Sequence, residues 1–130
     1  MDHVTRWWSG LLAVLAGCSR PDPAAQPSIG LSARDGRITA EVLNGSNRPG
    51  YGRLGTLALR EAGVDVITYG TADLIVDTTL ILVRRGDADR GHLVMRALGL
   101  GLVRMERDTL RRVDVTVILG RDWTPRTLRP

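Results

Sequence analysis

Apolar and polar positions alternate from Ile38 to Leu43, with Ile38, Ala40 and Val42 on one side and Thr39, Glu41 and Leu43 on the other. A period of two belongs to a sheet strand. The alternation stops at Asn44-Gly45, a pair that readily supplies positive φ, so a sharp turn is predicted there. Beyond Pro49 the period lengthens. Leu54, Leu57, Ala58 and Ala62 recur at helical spacing, which predicts a helix over about Gly50 to Ala62, with Pro49 suited to its first turn and Gly63 in a left-handed C-terminal cap. Gly52 and Gly55 stand inside that helix, each costing roughly 1 kcal/mol against Ala. Either the first turn is loose or the backbone there lies close to something.

The remaining elements follow from the same two periods. Val64 to Tyr69 alternates and reads as a second strand, and Gly70 to Asp77 as a connecting loop. In Thr78 to Val83 the consecutive Leu80, Ile81, Leu82 and Val83 predict a strand buried on both faces or central in the sheet. Arg84-Arg85-Gly86-Asp87 ends it, and Asp87 is placed to cap a second helix whose apolar stripe is Leu93, Val94, Ala97 and Leu98. Gly99 and Gly101 close that helix. Leu102 to Glu106 is a candidate for a short edge strand, and Val113 to Leu119 is the last strand, stopped by Gly120. The order is β-α-β-β-α-β: an α+β two-layer sandwich of four strands and two helices, for which the ferredoxin-like arrangement ranks first.

The N-terminal hydropathy is of another kind. Trp7 to Ala16 is apolar apart from Ser9 and Gly10, and Leu15-Ala16-Gly17-Cys18 follows. About ten apolar residues are too few to span a bilayer and suit the apolar core of a secretory signal. The last four residues resemble the lipobox of bacterial lipoproteins. That resemblance implies a diacylglyceryl group on the Cys18 thiol and cleavage just before it. Cys18 is the single cysteine, and Pro21, Pro23 and Pro27 prevent a helix from continuing past it. Ser19 to Ser28 is a Pro-rich tether reaching about 30 Å. Ile29 to Arg37 reads equally as more linker or as a hairpin turning at Asp35-Gly36. The expected organisation is a signal over 1–17, lipidated Cys18 and tether over 18–37, one folded domain over 38–123, and a frayed tail over 124–130. The expected location is extracytoplasmic, anchored to the cell membrane or to the periplasmic face of an outer membrane.

Composition changes this picture little. A chain of 130 residues with 43% hydrophobic content holds one domain with a core, and its interior has no Phe to draw on. The net charge of +4 is spread as Arg/acid pairs such as Arg34/Asp35 and Arg121/Asp122. A nucleic-acid footprint would be a one-sign stripe with aromatics interleaved, and an RNA-binding sheet would carry paired aromatics; neither is present, so no nucleic-acid partner is expected.

Glu41-Val42-Leu43-Asn44-Gly45-Ser46, the following Arg48-Pro49-Gly50, Gly63, and Asp114-Val115-Thr116-Val117-Ile118-Leu119-Gly120 together resemble the LytR C-terminal domain family, over about Ile38 to Trp123. Such domains stand beside the catalytic domain of LytR–CpsA–Psr cell-envelope proteins, or alone. The resemblance implies an extracytoplasmic α/β domain tied to cell-wall biology with no established catalytic residues and no cofactor. No counterpart of the phosphotransferase domain of those proteins is expected within these 130 residues. Members of the family it resembles usually carry larger residues where Gly52 and Gly55 stand.

Candidate sites are few. Asn44-Gly45-Ser46, opening onto a helix start, has the backbone donors to hold a phosphate or carboxylate, but it lacks the Gly-Lys-Ser/Thr of a phosphate loop, and a plain turn is the simpler reading. In a ferredoxin-like sheet the third and fourth strands run parallel, which would gather Arg84, Arg85, Arg121 and Trp123 on one edge. Arg with Trp suits an interface, a sugar or an anionic polymer; the bland alternative is a solvated rim with Trp123 folded back over the core. His92 has no companion ligands, so no metal is expected, and no Ser/His/Asp set is available. The reading is a non-catalytic, lipid-anchored binding or accessory domain. Its expected partners are the membrane through Cys18 and peptidoglycan, an anionic wall polymer or an envelope protein. A small periplasmic enzyme and a protein–protein adaptor are the alternatives.

Overall fold

A computed structural model describes residues 36–128. The expected signal, Cys18, the expected tether and most of the segment up to Arg37, including Asp35 of the candidate hairpin, lie outside the described residues. Seven elements and a terminal 3-10 turn follow in order: β1 (Thr39–Asn44), α1 (Tyr51–Glu61), β2 (Asp65–Thr71), β3 (Leu80–Val83), α2 (Ala88–Leu98), β4 (Leu102–Met105), β5 (Val115–Leu119) and Arg126–Leu128.

The five strands form one sheet in the order β2-β1-β5-β3-β4. Within it, β1 runs parallel to β2 and to β5, β3 runs parallel to β4, and β3 is antiparallel to β5. The α+β sandwich expected from the sequence is present, with Leu102–Met105 as a fifth strand. Its wiring is not ferredoxin-like. Each helix joins two adjacent parallel strands, giving two unsplit β-α-β units that run in opposite directions, with β5 laid between them. Right-handed crossovers in two oppositely directed units place both helices on one face, and α1 and α2 do touch.

The core lies between that sheet face and the helices. Ala40, Val42, Val115, Val117, Leu119 and Ile81 point into it from the strands, and Leu59, Val94, Leu98 and Trp123 close it from above. Gly55 and Gly91 let the helices approach. A Cβ on Gly55 would stand 2.7 Å from Leu119 Cδ1, and one on Gly91 2.6 Å from Val103 Cγ1 and 2.7 Å from Val83 Cγ2. The unusual glycines of the first helix therefore mark close packing, and the first turn is regular helix.

Local chemistry sets the ends. Gly63 takes φ +89°; its N–H donates to Arg60 O and the Val64 N–H to Leu59 O, the paired bonds of a Schellman stop. At the other end of α1 the positive φ falls on Asn47 and Gly50 rather than on Gly45. Gly45 is small for a different reason: a Cβ there would meet Val76 Cγ2 at 3.0 Å and Ile118 Cγ2 and Leu119 O at 3.1 Å. Asp87 occupies the N-cap position of α2, yet its side chain makes no capping bond. In the segment expected as a tail, Pro125 is buried and Leu128 N donates to Pro125 O.

Candidate functional site

Because the two β-α-β units point in opposite directions, each end of the sheet carries one helix start. At the α1 edge, the C-terminal ends of β1, β2 and β5 meet Asn44-Gly45-Ser46. Gly45 N donates to Leu119 O, which ties this loop to the end of β5. Asn44 organises the rest. Its Oδ1 accepts from Ser46 N at 3.1 Å and Ser46 Oγ at 2.6 Å, and its Nδ2 donates to Arg48 O at 2.8 Å. Ser46 Oγ in turn accepts from Arg48 N. Asn44 and Ser46 thus spend their polar groups on the turn itself. Ser46 is buried, and it bonds to Asn44 and Arg48 within the turn.

Arg48 and Arg121 are exposed at this edge. The Arg48 guanidinium carbon lies 5.4 Å from the Tyr51 ring centroid. Tyr51 meets Trp123 edge to face, with centroids 5.7 Å apart and planes at 87°. Trp123 is 1% exposed, so it is core, the alternative foreseen for it. Arg121 extends into solvent and reaches exposed Asp77 at 3.3 Å.

Arg84 and Arg85 are at the other edge. The antiparallel pairing sets Leu80 opposite Ile118 and Val83 opposite Val115, so the chain leaves β3 at the end where it enters β5. The predicted cluster of Arg84, Arg85, Arg121 and Trp123 does not exist; it required the two strands to be parallel. Arg84 is moreover 7% exposed. Its Nε donates to Thr116 Oγ1 at 3.1 Å and its Nη1 to Glu106 Oε1 at 3.1 Å. Thr116 Oγ1 donates to Glu41 Oε1, which also pairs with Arg111. This relay crosses the sheet face turned away from the helices and holds the β4–β5 loop against it. Arg85 remains exposed, with a bond to Thr109 O.

The model of the LytR cell envelope-related transcriptional attenuator family matches residues 37–123, which is the whole of the sandwich. The chain belongs to this family. A solved soluble domain of a conserved hypothetical secreted protein from Mycobacterium marinum has a similar fold, with a TM-score of 0.53 and 24% identity, over 68% of this chain and 62% of that one. No curated protein matches.

The family's markers in this LytR C-terminal domain are pieces of its frame. Glu41 to Ser46 is β1 and its turn, Gly63 is the helix stop, and Asp114 to Gly120 is β5 with its flanks. Sequence reasoning missed what those flanks do. Asp114 Oδ2 accepts from Thr39 N and Thr39 Oγ1 at 3.0 and 3.1 Å, and Asp114 N donates back to Thr39 Oγ1. At the far end of β5, Asp122 Oδ1 accepts from Thr79 N and Thr79 Oγ1 at 3.0 and 2.7 Å, and Gly120 N donates back to Thr79 Oγ1. Each unit therefore starts with a Thr clamped by an Asp that flanks the shared strand. No local signal reveals the clamps, because the partners lie 75 and 43 residues apart.

Asp114 and Asp122, at the two ends of β5, anchor the strand starts through these bonds. His92 is exposed on α2 with Nδ1 at 2.8 Å from Ala88 O. Among the described residues no three His, Cys, Asp or Glu side chains are grouped to hold a metal, and no helix is long and apolar enough to cross a membrane.

Proposed function

We propose that this LytR-family chain is a lipid-anchored, non-catalytic binding or accessory module of the cell envelope, working outside the cytoplasm. The observation that carries the reading is the conjunction of a family match over residues 37–123 with Leu15-Ala16-Gly17-Cys18 ahead of a Pro-rich tether. Lipid on Cys18 holds the module at a membrane, and the tether sets it about 30 Å from the headgroups. Its ligand on this reading is peptidoglycan or an anionic wall polymer. The α1 edge, where exposed Arg48 and Arg121 flank the Asn44-Gly45-Ser46 turn, suits carboxylate or phosphate.

Two measurements test it. Mass spectrometry of the mature chain should find acylated Cys18 at the N-terminus; a mature chain starting elsewhere refutes the anchor. The purified chain should be retained on peptidoglycan sacculi, more strongly at low salt, without turning them over. Turnover would move the protein to the enzyme class, and absence of retention would remove the wall ligand.

A further inference from the structure

Strand β2 ends the sheet on its side, and among the described residues nothing pairs with its outer edge. In a parallel ladder, a residue bonded to positions j−1 and j+1 of its neighbour leaves residue j facing away. Asn44 lies opposite Thr71, and its carbonyl takes the N–H of Ala72. Thr71 and, two residues back, Tyr69 accordingly turn their N–H and C=O groups outward. The irregularity opposite Ala40/Glu41 falls at Ile67. Below it, the outward carbonyl of Val66 is already covered by Arg60 Nη2 at 2.8 Å. The open stretch is Ile67 to Thr71.

Exposed sheet edges are normally blunted with charged residues, proline or extreme shortness. The opposite edge strand, β4, follows that rule: it has four residues and contains Arg104. Ile67-Thr68-Tyr69-Gly70-Thr71 has no charge and no proline, and Ile67 and Tyr69 are 57% and 52% exposed. Helix α1 adds a wall. At about 100° per residue, Arg53 and Arg60 lie within about 20° of each other around the helix, and Leu57 lies between them along the axis. All three are exposed, and since Arg60 reaches the outer carbonyl of Val66, this row flanks the β2 edge. Gly52, beside Arg53, sits over Gly70 and Tyr69.

We propose that the outer edge of β2 accepts an extended segment of a protein partner as an added strand, with acidic side chains on the face turned towards Arg53 and Arg60. Charge selects this occupant over a second copy of the chain. Two-fold antiparallel pairing of β2 with itself would set both α1 helices on one face across the junction. Four arginines would then gather there, and like charges at an interface are unfavourable. Main-chain bonds supply affinity in strand addition, and alternate side chains supply selectivity. This surface is independent of the wall ligand proposed for the α1 edge.

The test is an amide NMR titration of the isotope-labelled chain with the acetylated, amidated peptide Glu-Val-Glu-Val-Glu-Val-Glu. Expected are shifts and slowed hydrogen exchange at the Tyr69 and Thr71 amides. Arg53→Glu should weaken binding about tenfold or more by replacing attraction with repulsion. Thr71→Pro removes an outward N–H and no ladder bond, so it should abolish binding while leaving the rest of the spectrum in place. The proposal is overturned if Lys replaces Glu in the peptide without loss, if methylating its alternate amides has no effect, or if the β2 amides do not respond. Self-association of the chain that Thr71→Pro removes would assign the edge to a second copy and also overturn it.

Discussion

Gly91→Ala sets two physical effects of opposite sign against each other. On helix propensity alone the substitution is favourable by about 1 kcal/mol in a helix interior. Against it stand Val103 Cγ1 at 2.6 Å and Val83 Cγ2 at 2.7 Å from the position of the new Cβ, well inside ordinary carbon contact. Neither methyl yields easily. A β-branched side chain is stiff at χ1, and Val83 is fully buried in β3, so relief requires α2 to lift from the sheet. Overpacking of this kind costs about 1–3 kcal/mol, and two stiff neighbours place it in the upper part of that range. The net effect is a loss of about 1–2 kcal/mol, or a melting point lower by about 5–15 °C for a domain of this size. Thermal and urea unfolding followed by circular dichroism would measure it. Val103→Ala in the same chain should recover part of the loss, as a favourable coupling of about 1 kcal/mol in a double-mutant cycle. A Gly91→Ala chain more stable than the parent would show that helix propensity outweighs contact here, and the packing argument would be wrong.

Other substitutions separate buried groups from surface ones. Arg84→Ala should cost about 1–3 kcal/mol in urea unfolding, because it strips Thr116 and Glu106 of a buried charged donor; Arg121→Ala, whose partner Asp77 is exposed, should stay within about 1 kcal/mol of the parent. Asp122→Ala should cost about 1–3 kcal/mol by leaving the Thr79 N–H and hydroxyl without their acceptor, and hydrogen exchange should quicken at the start of β3 first. Trp123→Ala should cost about 3–5 kcal/mol, enough to unfold much of a marginal domain at 37 °C, and would be read from loss of a cooperative thermal transition.

The parts of this fold were more legible than their assembly. Alternation in Ile38 to Leu43 and the unbroken run Leu80 to Val83 carry the strand signal in side-chain period, which is local. Gly52 and Gly55 left a loose turn or a close approach open, and the atoms an added Cβ would meet, Gly70 O at 3.3 Å from position 52 and Leu119 Cδ1 from position 55, decide for the approach. Whether β3 runs with or against β5 is not a local property. Both directions bury the same valines, and the choice depends on which neighbour each helix can reach. That single ambiguity produced the arginine cluster that the fold disperses. β4 was hard to rank because four residues, Leu-Val-Arg-Met, with only Val103 half-buried, barely establish a period. Asn44-Gly45 was correctly placed as a turn, but the pair signals φ, whereas Gly45 is needed for want of space. Trp123 has no period at all; it follows the last strand, and only its packing in the core against Tyr51 of α1 explains its burial.

The strand made last occupies the middle of the sheet. β1 and β2 pair with each other, as do β3 and β4, and only β5 joins the pairs. A polypeptide emerging from its N-terminus can close each β-α-β unit early, since those contacts are short in sequence. The seam between the units stays unfilled until Val115 to Leu119 arrive, with Asp114 and Asp122 ready to fasten Thr39 and Thr79. Until then both units expose a bare strand edge to whatever else is nearby, a hazard for nascent chains. Termination between β4 and β5 would leave two half-sheets with no strand pairing between them, so the last strand decides whether the earlier part becomes one body.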